Sequence, residues 1–108
     1  MIYELRRYEL YQHNKKAFYE RFGQHFVPIA QKYGFQLIGA WDTVIGDVPE
    51  TTYLLAWPDL NARQAAWAAV EADPEWAQVK KDTTAQHGPL VFKTHSQILQ
   101  PTAYSPLA

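Results

Sequence analysis

Glu4, Arg6 and Tyr8 stand two residues apart along the chain, and in an extended segment that spacing puts all three side chains on one face. A carboxylate, a guanidinium and a phenol in one row can do chemistry: Arg6 is suited to hold a carboxylate or enolate, and Tyr8 to donate a hydrogen bond to a carbonyl. A structural reading stands beside this one. Charges in a strand are costly to bury unless paired, so Glu4 and Arg6 could instead form an ion-pair network across two facing sheets. The four histidines are His13, His25, His87 and His95. No two of them form an HxH or HExxH pattern, so spacing points to no metal site. His25 falls at the edge of a helical apolar stripe, where it could be a pocket acid or base. It could equally be bonded to a sheet or to water, because nothing near it in sequence supplies an activating partner. His95 could line an interior or pair across a dimer. Among the four tryptophans, Trp41, Trp57, Trp67 and Trp76, Trp41 and Trp76 are candidate walls of a substrate site, although aromatics at such spacing also build cores. No GxGxxG, Walker or GxSxG sequence occurs, so no cofactor is expected.

The elements that must position these residues can be read from periodicity. Ile2 to Tyr11 mixes β-branched, aromatic and charged residues without helical spacing and reads as a strand. Asn14 can cap a helix in which Phe18, Phe22, Phe26 or His25, Ile29 and Tyr33 recur at close to one helical turn. Pro28 should bend that helix, and Gly34 should stop it. Phe35 to Ile45 and Thr52 to Trp57 read as a hairpin around Gly46-Asp47-Val48-Pro49-Glu50. Asp59 can cap a helix carrying Leu60, Arg63, Ala66, Trp67 and Val70. Asp73-Pro74-Glu75-Trp76 starts another, which should end before Gly88-Pro89. Leu90 to Leu99 forms a last strand, and residues 100–108 form a tail containing two prolines. The order β, α, β, β, broken α, β implies an α+β, ferredoxin-like fold: a four-stranded antiparallel sheet with helices on one face, in one domain spanning 1–108.

Composition narrows the class. The chain has 108 residues, ten Lys and Arg, eleven Asp and Glu, and no Cys, with a net charge of −1. This leaves no strong field for nucleic acid and no thiolate chemistry. No apolar run spans a membrane, and the charges in Met1–Arg7 sit where a signal peptide needs its apolar core, so a cytoplasmic protein is expected. One helical layer covers only one sheet face, while Leu37, Gly39, Trp41, Tyr53, Leu55 and Trp57 form apolar rows on the hairpin. A large exposed aromatic patch is rare on monomers, so a homodimer with facing sheets is expected.

Several segments carry a family resemblance: Ile2-Tyr3-Glu4-Leu5-Arg6 with Tyr8, Pro28 with Tyr33-Gly34-Phe35, Leu37-Ile38-Gly39-Ala40-Trp41, Asp73-Pro74-Glu75-Trp76, and Tyr104-Ser105-Pro106-Leu107. In this order and spacing the chain resembles the NIPSNAP family. It departs from the pattern at Tyr11-Gln12-His13-Asn14, which lacks a Pro-Gly after the first strand. The resemblance implies a dimeric α/β-barrel, in a superfamily that includes cofactor-free monooxygenases, haem-degrading enzymes and small-molecule isomerases. NIPSNAP members themselves have no settled reaction. Two functions therefore stand side by side. One is a protein that binds or transforms a small hydrophobic molecule, using Arg6, Tyr8 and His25 with Trp41 and Trp76 as walls. The other is a non-enzymatic homodimeric interaction module.

Overall fold

A computed structural model describes residues 1–108. The strands are β1 (Ile2–Leu10), β2 (Gln36–Asp42), β3 (Glu50–Trp57) and β4 (Val91–Leu99), and they form one antiparallel sheet in the order β2-β3-β1-β4. The helices are α1 (Lys15–Arg21), α2 (Val27–Gln31), α3 (Leu60–Glu71) and α4 (Pro74–His87). This is the ferredoxin-like α+β arrangement expected from the element order, with β1 in the interior of the sheet. The shortest dimension of the fold is 19 Å, consistent with one sheet and one layer of helices.

Local chemistry explains where the elements start and stop. Asp59 accepts from the Ala62 amide at 2.7 Å and Asp73 from the Trp76 amide at 2.8 Å, each satisfying a donor that a helix start leaves unpaired. Gly34 and Gly88 adopt φ values of 90° and 76°, a conformation that glycine reaches without penalty, and each lies just past a helix.

Three expectations change. Asn14 precedes α1 but makes no side-chain cap. Its amide nitrogen instead donates to the carbonyls of His87 and Pro89, both at 2.9 Å, tying the start of α1 to the end of α4. The helix expected to bend at Pro28 is interrupted earlier, by a wide turn over Phe22–Phe26 in which the Val27 amide reaches back to the Phe22 carbonyl. This extra-wide turn lies immediately before Pro28, whose ring nitrogen cannot donate. The strand expected over Phe35 to Ile45 ends at Asp42, and Val44 and Ile45 are 91% and 94% exposed in the loop that follows.

The register also changes within β2, where it shifts between Leu37 and Gly39. A residue inserted into a ladder flips every side chain beyond it to the other face. Leu37 pairs with Leu55, whereas Gly39 and Trp41 pair with Leu54 and Thr52, so the expected apolar row of Leu37, Gly39 and Trp41 is split between the two faces.

On the helical face Tyr53, Leu55 and Trp57 pack with Phe26, Ile29, Ala30, Val70 and Trp76 as the main core. A satellite of Leu10, Phe18 and Leu90 closes one end. No helix covers the opposite face. There the Tyr3 hydroxyl donates to the Ala108 carbonyl, and Leu54, Leu99, Pro101 and Leu107 lie around it, so part of the tail folds back over the sheet. No helix is long and apolar enough to cross a membrane.

Candidate functional site

The Glu4, Arg6 and Tyr8 row faces the helices, because Glu4 pairs with Leu55 and Arg6 with Tyr53, both residues of the main core. Glu4 is wholly buried. Its Oε1 accepts from the indole N–H groups of Trp57 and Trp67, each at 3.0 Å. Its Oε2 accepts from Arg6 Nη1 at 3.0 Å, Arg63 Nη2 at 2.9 Å and the Ser96 hydroxyl at 3.3 Å. Burial by itself pushes the carboxyl pKa up. The bonds from Arg63, Trp67, Trp57 and Arg6 outweigh that penalty and bring it down to about 2. The ion pair expected from the Glu4 and Arg6 row thus exists, but it closes within one chain and on the helical face, so it does not bridge two sheets. The reason is strand parity: the row faces the helical core, away from the bare sheet face.

Glu4 fixes Arg6, which is otherwise held by aromatic groups. Arg6 Nε donates to the Tyr8 hydroxyl at 3.0 Å, and the guanidinium lies over the Trp67 ring at 4.4 Å from its centroid. Burial works against the charge of Arg6, but the oxygens of Tyr53 and Tyr8, and then Glu4, hold its pKa above the ordinary arginine value. Of five guanidinium N–H donors these contacts use two, and three remain. The Tyr8 hydroxyl lies 2.6 Å from that of Tyr53.

These groups form one wall of a cleft of about 190 Å3 between the sheet and the helices. Phe18, Phe22, Phe26, Trp67 and Trp76 supply apolar surface, and Arg6, Arg21 and Lys80 face Glu71 as its sole carboxylate. The wide turn at Phe22–Phe26 carries two of the rings, with Phe22 and Phe26 stacked at 5.0 Å. Trp76 is fixed by its place at the capped start of α4, with Arg21 over its ring at 5.5 Å. An apolar cavity of about 150 Å3 accepts a benzene ring, so the cleft has the size for a single-ring compound.

Arg6, Tyr8 and Trp76 come together in this cleft, whereas His25 and Trp41 stand apart. His25 is exposed and lines a polar groove between the first helical segment and α4, together with Glu20, Asp82 and His87. Trp41 is 55% exposed on the bare sheet face, where its indole lies over Gly39. His95 Nε2 donates a hydrogen bond at 2.7 Å to the Glu9 carboxylate, also on that face. Arg63, Trp67, Tyr53, Trp57 and Ser96 were not legible as one cluster. One signal was available, since Arg63 and Trp67 are four residues apart on α3 and so project from the same helix side.

Residues 3–106 match the NIPSNAP family. The chain belongs to that family. This NIPSNAP chain is 28% identical to an uncharacterised NIPSNAP-like domain protein from Burkholderia xenovorans, over 97% of this chain and 88% of that one, with a TM-score of 0.84. It is 25% identical to a NIPSNAP family protein of unknown function from Agrobacterium tumefaciens, over 100% and 94% of the two chains, with a TM-score of 0.86. An antibiotic biosynthesis monooxygenase shares the fold at 10% identity and a TM-score of 0.61, over 94% of this chain and 99% of that one. Among curated proteins none matches this chain.

Proposed function

We propose that the cleft binds a small, single-ring molecule bearing a carboxylate or enolate, with Arg6 as the group that holds the anion. The observation that carries this reading is Arg6 itself: a half-buried guanidinium, anchored by Glu4 and stacked on Trp67, with donors to spare on the wall of an aromatic cleft. Counting Glu4 and its second partner Arg63, four cationic side chains (Arg6, Arg21, Arg63 and Lys80) stand against the two carboxylates Glu4 and Glu71, an excess that favours an anion there although the chain as a whole is slightly negative. Donors fixed in advance are what an oxyanion needs, because they cost no reorganisation when charge develops. Other grooves are wider, but exposed polar side chains such as Lys16, Glu20 and Gln24 line them, and these are not held in place in the same way.

A thermal-shift series tests the reading, since a ligand that binds only the native state raises stability by mass action. Benzoate and related single-ring acids raise the melting temperature, while haem and long fatty acids, too large for the cleft, do not. Arg6→Gln removes the benzoate shift. A series in which no single-ring anion shifts the protein, or in which Arg6→Gln shifts as the parent does, contradicts it.

We also propose that the bare sheet face pairs with a second copy. Trp41 and Leu99 are exposed there, and most charges of that face are matched within the chain, Arg7 with Glu50 at 2.9 Å and His95 with Glu9, while Lys93 beside Glu9 stays exposed and makes no ion pair. A partner covering the face would therefore have to leave Lys93 at the solvent-exposed rim or supply it a carboxylate.

A further inference from the structure

Resting on the ligand reading above, we propose that Tyr53 orients the Tyr8 hydroxyl, so that Tyr8 donates its proton to an acceptor oxygen of the bound molecule, beside the free N–H groups of Arg6. The proposal comes from accounting for protons among three groups. Arg6 Nε can only donate, so Tyr8 accepts from it. Tyr53 is 1% exposed, and the Tyr8 oxygen at 2.6 Å is the one acceptor beside its hydroxyl, since the neighbouring Arg6 guanidinium can only donate. If Tyr8 donated to Tyr53, the Tyr53 proton would be buried with no acceptor, a cost that a donation in the other direction avoids. Tyr53 therefore donates, and Tyr8 receives two hydrogen bonds, which occupy both of its lone pairs.

The proton of Tyr8 then has no acceptor in the protein, and its ring lines the cleft. Its partner belongs to whatever occupies that space. Burial, first of all, pushes the Tyr53 phenol well above the usual tyrosine range, so Tyr53 keeps the proton it must give. The pair of donors, Tyr8 O–H and Arg6 N–H, selects a carboxylate, enolate or ketone oxygen. Tyr53, which does not itself line the cleft, is a positioning residue.

The direction of donation can be read without any ligand. In proton NMR of the full chain, one tyrosine hydroxyl resonance exchanges slowly with water, shows cross-peaks to the ring protons of Tyr53 and disappears in Tyr53→Phe. A protected hydroxyl proton on Tyr8, or on neither ring, overturns the proposal. Benzoate titration supplies the second readout: Tyr53→Phe, folded by circular dichroism, weakens binding roughly fivefold, the size of one lost neutral hydrogen bond. Unchanged affinity in that variant also overturns the positioning role. Failure of benzoate to bind the parent protein contradicts the ligand reading instead, and it leaves the NMR assignment of the donor standing, so the two failures are told apart.

Discussion

Glu4 shows why a single residue can decide both stability and site geometry here. A buried carboxylate is tolerated because five donors converge on it. Glu4→Gln keeps the shape but sets an amide N–H2 against donors, and it should cost roughly 3–5 kcal/mol, as breaking a buried pair does. Denaturant unfolding at neutral pH checks this. Acid gives a second check. The Glu4 pKa falls from 4.5 unfolded to about 2 folded, so its contribution is present in full above pH 4.5 and is lost as pH falls toward 2. That contribution is at most about 3 kcal/mol. Parent and Glu4→Gln stabilities should therefore converge as pH is lowered through this window. A constant gap would contradict the assignment. Sequence parity revealed that Glu4, Arg6 and Tyr8 share a face. It could not reveal the partners Trp57, Arg63, Trp67 and Ser96, because all lie more than fifty positions away and meet Glu4 only through tertiary packing.

Elements were legible where a local signal sets them. Asp59, Asp73, Gly34 and Gly88 act at the helix ends where their chemistry suggested. The departures arose where one inserted residue changes a phase. The wide turn at Phe22–Phe26 carries His25, which is exposed in a groove away from the cleft, and the shift between Leu37 and Gly39 sends Trp41 to the bare face. Pro28 marks the neighbourhood of the first insertion but not which turn widens, and nothing local fixes the position of the second. Asn14 is the third case, a helix-capping residue type used as a tie between α1 and α4. Asn14→Ala should leave two carbonyls without their donor and destabilise the fold by about 2 kcal/mol. Asn14→Asp should be at least as damaging, since a carboxylate faces those same carbonyls. Equilibrium unfolding of both variants checks the order, and an unchanged midpoint in Asn14→Ala would remove the tie from the account.

For the whole molecule, the same 108 residues build one covered sheet face and one bare one. Light scattering should give twice the chain mass of 12.5 kDa, and Trp41→Arg, which puts a charge into the proposed contact, should give the single-chain mass with the fold intact. A parent protein that is monomeric at micromolar concentration contradicts the pairing. The central claim concerns the other face, and the four indoles report on it separately. Trp67 and Trp76 line the cleft, Trp57 is in the core and Trp41 is on the bare face. Titrating benzoate into nitrogen-15-labelled protein should move the indole signals of Trp67 and Trp76 and the Arg6 Nε signal while leaving Trp41 in place. Signals that stay fixed at all three positions, or that move at Trp41 alone, would contradict a binding site in the cleft.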